Sequence, residues 1–134
     1  MLSSALLLVR LVIGLTFAGH GAQKLFGWFG GYGLKGTGGF MESIGVRPGV
    51  LMALIAGLLE LAGGLMFAAG LFTPVAAAFI VMTMLVAIFK VHGRNGYWVT
   101  SNGIEYNVAL IAIAVAVAMA GAGAYSLDYT LFSQ

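Results

Sequence analysis

The clearest indication of the architecture is the segment of residues 49–72, GVLMALIAGLLELAGGLMFAAGLF, in which Glu60 is the one charged side chain. A helix that crosses a bilayer needs about 20 mainly apolar residues, because it rises ~1.5 Å per residue through a hydrocarbon core ~30 Å thick. Residues 49–72 meet this requirement. The segment therefore predicts a transmembrane helix.

Other stretches of the 134-residue chain have the same character. The predicted spans are residues 2–26, 49–72, 74–91 and 104–124. Thr73 followed by Pro74 predicts an N-cap with a proline in the first helical position, where its missing N–H costs nothing. We predict an all-α membrane fold, a bundle of four transmembrane helices in a single domain, residues 1–134.

The composition excludes several classes of protein. Hydrophobic residues make up 61% of the chain and charged residues 7%, whereas about a quarter of the residues in a soluble domain are charged. A formal net charge of +2 from scattered side chains excludes a nucleic-acid surface. The absence of cysteine excludes disulfides and thiol chemistry within the chain. We expect the lipid bilayer to surround most of the protein.

The connection between the first two spans is long and rich in glycine and aromatic residues. It contains Gly27, Trp28, Phe29, Gly30, Gly31, Tyr32, Gly33, Gly36, Gly38, Gly39, Phe40 and Gly45. Thr37 with the apolar residues after it, closed by Gly45, predicts a short amphipathic turn of helix. Aromatic side chains favour the membrane interface, so we predict an interfacial loop between helices 1 and 2. The alternative is an ordinary flexible loop.

Basic residues indicate an orientation. They flank the first loop, at Lys24, Lys35 and Arg47, and the third loop, at Lys90 and Arg94. The positive-inside rule then places loops 1 and 3 in the cytoplasm and both termini outside. Some of these residues would not report topology if they bind a ligand instead.

Two ionisable residues fall within predicted spans. Arg10 lies ~12 Å and Glu60 ~18 Å below the same face, at ~1.5 Å per residue, and a long arginine side chain can cover the difference. We predict an Arg10–Glu60 ion pair that fixes the register of the first two spans. The alternative is that Glu60 lines a cavity as a proton acceptor or ligand contact, with Arg10 holding it ionised.

A second polar group gathers at the other end of the helices. His20 and His92 lie at a similar depth, roughly 27–28 Å from the outer face. The candidate ligand-binding residues are His20, Lys24, Glu60, His92, Glu105 and Tyr106. Imidazole, carboxylate and ammonium groups below an aromatic loop favour a pocket for a small polar or amphiphilic ligand. Competing interpretations are basic side chains reaching toward lipid phosphates, or, less favoured, haem ligation by the two histidines. No motif predicts a metal site.

Together these residues form a family pattern. It comprises His20-Gly21-Ala22-Gln23-Lys24-Leu25-Phe26-Gly27 after an arginine-bearing helix, Gly36-Thr37-Gly38-Gly39-Phe40, Glu60 with Gly63-Gly64, Gly70-Leu71-Phe72-Thr73-Pro74, and His92 before Glu105. The chain resembles the DoxX family over essentially its whole length. The resemblance implies a small four-helix, multi-pass protein of the bacterial cell inner membrane.

The resemblance also implies a function. Relatives look like membrane subunits of thiosulfate:quinone oxidoreductases, partners of a superoxide dismutase and a sulfurtransferase, or proteins linked to quinone and catechol stress. A chain without cysteine cannot carry electrons on its own thiols, which argues against direct sulfur transfer. The polar positions that match the family are His20, Lys24, Glu60, His92 and Glu105.

We therefore expect a protein that binds a quinone or another small aromatic ligand and supports redox or detoxification chemistry, as a component of a quinone-linked oxidoreductase. His20 and His92 would hydrogen-bond the ligand oxygens, Lys24 would favour the reduced anion, and Glu60 or Glu105 would relay protons. Its partners would be a redox-enzyme subunit or further copies of itself. The alternatives are a non-catalytic scaffold or assembly subunit and a small transporter.

Overall fold

A computed structural model describes residues 1–132, and this part of the chain is helical with no strand. The helices are α1 (Leu2–Phe26), α2 (Gly33–Ser43), α3 (Gly49–Ala69), α4 (Thr73–Ala87), α5 (Glu105–Ala120) and α6 (Leu127–Phe132). A π-helical turn, Ile88–His92, and a 3-10 turn, Gly93–Asn95, continue α4. The predicted all-α fold is confirmed.

Three helices are long and apolar enough to cross a bilayer: Leu2–Phe26, Gly49–Ala69, and Thr73–Asn95, which is α4 with its continuation. The region predicted as a fourth span, residues 104–124, contains α5, which has 16 residues. At ~1.5 Å per residue this helix is ~24 Å long, less than the ~30 Å hydrocarbon core. The membrane character is therefore clear, and the count of four spans stays a prediction.

Helix α3 ends three residues before the end of the predicted span, residue 72. Helix α3 ends at Ala69, because Gly70 adopts a left-handed conformation with φ of 69°. The N–H of Leu71 then bonds the carbonyl of Met66 at 2.9 Å, which closes the helix end. Thr73 is the first residue of α4 and does not cap it; the predicted N-cap was wrong because a carboxylate distant in sequence, Asp128, takes that role.

Helix α2 starts at Gly33, four residues before the predicted turn at Thr37. Its glycines have poor helix propensity, but they let its backbone approach α3 closely. A Cβ on Gly38 would lie 2.9 Å from the backbone nitrogen of Val50. Tertiary packing thus stabilises a helix that the local sequence does not favour.

The helices run antiparallel, so the connections gather at two ends. We call the end formed by residues 27–48 and 88–104 the loop end, and the end formed by residues 70–72 and 121–132 the tail end. The tail is held by a bond from the N–H of Asp128 to the carbonyl of Gly70 at 2.8 Å and by one from Ala124 N–H to Ser3 Oγ at 3.1 Å. Between the ends lies an apolar core of Phe17, Phe67, Ala76, Ala77, Ile80, Met84, Leu110, Ala114 and Val117.

Candidate functional site

The register of α1 against α3 is set by glycines on both helices. A Cβ on Gly14 would lie 2.6 Å from the carbonyl oxygen of Gly64, and one on Gly21 would lie 2.7 Å from that of Gly57. The two backbones therefore touch, with no space for a side chain between them. In this register Lys24 lies beside Gly57, where an added Cβ would be 3.4 Å from the Cβ of Lys24. Glu60 is three residues further along α3, less than one helical turn, so the long Lys24 side chain can reach it.

Lys24 and Glu60 form an ion pair near the loop end. The Nζ of Lys24 donates to Oε1 of Glu60 at 2.5 Å and to Oε2 at 2.6 Å. The Glu60 side chain is 3% exposed and that of Lys24 26%. A carboxylate buried in apolar surroundings is costly unless it is paired, and Lys24 supplies the counter-charge for Glu60.

The predicted Arg10–Glu60 pair is therefore wrong. Arg10 is fully buried near the tail end, where its Nη1 donates to the carbonyl of Ala68 at 3.1 Å and its Nη2 to that of Tyr125 at 2.8 Å. The predicted span ends put Arg10 and Glu60 only ~6 Å apart in depth, an offset that a long arginine side chain can cover. The glycine contacts shift the helices so that Arg10 faces the end of α3 and Glu60 faces the end of α1.

Asp128 completes the network around Arg10. Its carboxylate accepts hydrogen bonds from the backbone N–H of Phe72 at 2.6 Å, the N–H of Thr73 at 2.8 Å and the Thr73 hydroxyl at 2.6 Å. Burial alone would raise the pKa of this carboxyl, but the bonds from Thr73 and Phe72, with the charge of Arg10, hold the pKa below its usual value. This carboxylate caps the N-terminus of α4.

An apolar cavity of about 370 Å³ lies under α2, between α3 and the end of α4; we call it the inner cavity. Its polar lining groups are Lys24, Glu60, His92, Lys90, Thr37 and Thr83. The walls are otherwise apolar, with Phe40 and Met41 from α2 and Val86 and Ala87 from α4. A mainly apolar pocket with a few convergent polar groups is typical of small-molecule sites.

A second cavity of about 650 Å³, the outer cavity, adjoins the first. Both cavities are lined by Lys24, Thr37 and Phe40, so these three side chains form the boundary between them. His20 lines the outer cavity and is exposed there. His20 also lies within electrostatic reach of Glu60 and Lys24. The two cavities thus meet at the ion pair.

His92 is held by its backbone surroundings. Its Nδ1 lies 2.9 Å from the carbonyl oxygen of Asn102. A carbonyl oxygen can only accept, so Nδ1 carries the proton, and in the neutral ring Nε2 is left as an acceptor. Among the described residues no group of three or more His, Asp or Glu side chains could hold a metal ion.

Two of the predicted site residues lie apart from the cavities. The Oε1 of Glu105 accepts a hydrogen bond from the N–H of Val99 at 2.8 Å, which fixes the loop before α5. Tyr106 is exposed on α5 and lies within electrostatic reach of Glu60 without lining either cavity. The structure therefore brings His20, Lys24, Glu60 and His92 to the cavities, and gives Glu105 a structural contact.

Sequence reasoning placed the pocket below the aromatic loop but did not identify the residues of α2 and the interior of α4 that line it. Thr37, Phe40 and Met41 cover the cavities from α2, and Thr83 lines the inner one from α4. Thr37 is buried within the glycine-rich segment, and a threonine among such glycines was the available signal. Thr83 gave none, since its hydroxyl bonds the carbonyl of Phe79 in its own helix, at 2.8 Å, as threonines in apolar helices do.

Comparison with known families gives one match. The sequence model of the DoxX family matches residues 5–93. This range contains His20, Lys24, Glu60 and His92, whereas Glu105 and Tyr106 lie outside it. No curated protein and no solved structure matches the chain.

Proposed function

The chain belongs to the DoxX family of membrane proteins, and on that basis we propose that it binds a quinone-like or other small aromatic ligand at the loop end, in support of redox or detoxification chemistry. The observation that carries the proposal is the inner cavity, where apolar walls surround the Lys24–Glu60 pair and His92. Its volume of about 370 Å³ is within the range of small-molecule sites.

The residues present fit the two oxygens of a quinone or hydroquinone. Lys24 is a donor with a third N–H beyond the two used by Glu60, and its positive charge stabilises negative charge on a ligand oxygen. His92, whose Nδ1 is bonded to the carbonyl of Asn102, leaves Nε2 for a ligand oxygen. Phe40 and Met41 supply apolar contact with an aromatic ring.

Bound in this cavity, a quinone would supply the two-electron chemistry that no side chain of this chain provides. The protein's part is to exchange protons with it. His20 lines the outer cavity together with Lys24, and Lys24 lines the inner cavity together with Glu60, so these ionisable groups lie in sequence from one cavity to the other. We assign proton relay to Glu60 and not to Glu105, because Glu105 bonds Val99 and lines neither cavity.

The test is titration of the purified protein in detergent with a short-chain naphthoquinone, with binding measured calorimetrically. Ala87→Leu fills the inner cavity, and Ala112→Leu adds the same volume on an exposed face of α5. We expect Ala87→Leu to weaken binding at least about ten-fold, Ala112→Leu to leave it unchanged, and His92→Ala to weaken it about two- to ten-fold through one lost hydrogen bond. Equal binding by the two leucine variants would exclude the inner cavity as the site.

A scaffold or assembly role is the second candidate, and one observation favours it. Trp28, Phe29 and Tyr32 are exposed together at the loop end, where aromatic side chains suit either the membrane interface or a partner subunit. A redox-enzyme subunit or another copy of the chain would dock there. Absence of quinone binding, with loss of a co-purifying subunit in a Trp28→Ser/Phe29→Ser variant, would favour this role.

We further propose that the loop end faces the cytoplasm and both termini lie outside. Four of the six basic residues lie at the loop end and a fifth, Lys24, lies in the last turn of α1 beside it, as the positive-inside rule expects. A reporter fused to the C-terminus tests this orientation. Activity of a reporter that works only in the cytoplasm would reverse it.

A further inference from the structure

A third cavity, of about 490 Å³, opens at the loop end beside the inner cavity. We call it the basic cavity; its polar lining comes from Lys90, Arg94, Asn95 and Ser43. Lys90, in the π-helical turn, and Arg94, in the 3-10 turn, both line this cavity. Two positive charges therefore converge on one concave surface.

No carboxylate in the described residues neutralises these charges. The ion pair found in residues 1–132 is Lys24–Glu60, on the far side of the inner cavity. Glu42, next to Ser43, turns its Oε2 toward the N–H of Gly49, 3.3 Å away. Asn95 is also occupied, since its amide donates to the carbonyl of Asn102 at 3.0 Å. The free donors of the basic cavity are the cationic groups of Lys90 and Arg94, which suit an anion.

The cavity lies where the membrane meets water. The candidate span of α4 ends at Asn95, one residue after Arg94. Phe89, which also lines the cavity, is 79% exposed, and Trp98 in the following loop is 64% exposed. Exposed aromatic side chains at the end of a span mark the level of the lipid headgroups. At that level the abundant anion is the lipid phosphate.

We propose that the basic cavity binds the phosphate group of an anionic phospholipid headgroup. The guanidinium of Arg94 presents two parallel N–H groups that match two phosphate oxygens, and Lys90 adds a point charge. Because Lys90, Val91 and Ile44 line both the basic and the inner cavity, a lipid held here would lie beside the entrance to the ligand site. The proposal is independent of which ligand the inner cavity takes.

The experiment uses the full-length protein in neutral detergent, with thermal unfolding recorded against increasing short-chain phosphatidylglycerol. A ligand that binds the folded state raises the unfolding midpoint, which gives its apparent Kd. Inorganic phosphate and a phosphate-free monoacylglycerol form the parallel arms. We expect Arg94→Gln and Lys90→Gln each to weaken phosphatidylglycerol binding about five-fold, and the double variant about 25-fold.

The matched control is Lys35→Gln, which removes one exposed positive charge from α2. Lys35 lies eight residues, or ~12 Å, along the helix from Ser43, which lines the basic cavity. This distance exceeds the electrostatic screening length of ~8 Å at physiological salt. The variant should leave the Kd within about two-fold of wild type. Binding of inorganic phosphate with the same dependence on Arg94 also supports the site, and identifies the free anion as a sufficient ligand. The proposal is overturned if the Arg94 and Lys35 variants behave alike, or if monoacylglycerol binds as well as phosphatidylglycerol.

Discussion

Removing Lys24 should lower the free energy of unfolding more than removing Glu60, its partner in the ion pair. Lys24→Met leaves the Glu60 carboxylate, whose side chain is 3% exposed, without a counter-charge. Such an unpaired buried charge costs about 3–5 kcal/mol. Glu60→Gln leaves Lys24, whose side chain is 26% exposed and can turn toward the outer cavity. Loss of one charged hydrogen bond then costs about 1–2 kcal/mol.

The double variant Lys24→Met/Glu60→Leu provides the decisive comparison. It replaces both charges with apolar groups of similar size, a change that is often neutral or stabilising for buried pairs. We expect its free energy of unfolding to lie within about 1–2 kcal/mol of wild type, well above the sum of the two single losses. The pair would thus show a coupling energy of about 2 kcal/mol or more.

The assay is reversible unfolding in mixed micelles with increasing sodium dodecyl sulfate, followed by far-ultraviolet circular dichroism. Lys35→Met serves as control, since Lys35 is an exposed lysine on α2. Equal losses for Lys24→Met and Glu60→Gln would refute the assignment of Glu60 as the more buried partner. Additive losses in the double variant would refute the pair itself.

Three further predictions concern the rest of the bundle. Arg10→Gln removes the hydrogen bonds to the carbonyls of Ala68 and Tyr125 and should lower the free energy of unfolding by about 3 kcal/mol in the same micelle assay. The control Arg94→Gln, at an exposed arginine, should leave the free energy of unfolding almost unchanged. The pKa of Asp128 is lower in the folded protein than in the unfolded chain, where it is about 3.8–3.9. The ionised carboxylate therefore stabilises the fold fully above the unfolded pKa, and this stabilisation is lost as pH falls through the folded pKa. Between pH 5 and pH 2.5 the thermal midpoint of wild type should fall more than that of Asp128→Asn. Gly64→Ala would place a Cβ 2.5 Å from the carbonyl oxygen of Gly14 and should cost about 1–3 kcal/mol of unfolding free energy. In the control Gly19→Ala the added Cβ has nothing within 4 Å, so this variant should be neutral or slightly stabilising. Equal effects of the two variants would contradict the close contact of α1 with α3.

The sequence predicts the helices of this protein well, because a long apolar run has few alternatives in lipid. Residues 2–26 are one helix with the predicted bounds. Helix ends are less predictable, since Gly70 closes α3 before the apolar run finishes at Phe72. Helix α2 depends on contact with α3 and could not be read from its glycine-rich sequence.

The partners of the buried charges could not be predicted from the sequence, for a different reason. Small residues recur along α1 and α3, and several registers would bring glycines together. A change of register is enough to replace Arg10 with Lys24 as the partner of Glu60. Asp128 lay outside any local pattern, since it caps a helix that begins 55 residues earlier. Helical spacing did group His20 with Lys24 on one face of α1, and both line the outer cavity.

The buried Arg10 sets an order of events during biosynthesis. Helix α1 leaves the ribosome first, but Tyr125, which accepts one of the Arg10 hydrogen bonds, lies 115 residues later. At about 5–20 residues per second, the guanidinium spends about 6–23 s without that acceptor. During this interval α1 is held in the bilayer by its apolar residues against the cost of an unsatisfied charge. Docking of the segment that carries Tyr125 is therefore a late step, and it completes the burial of the first helix.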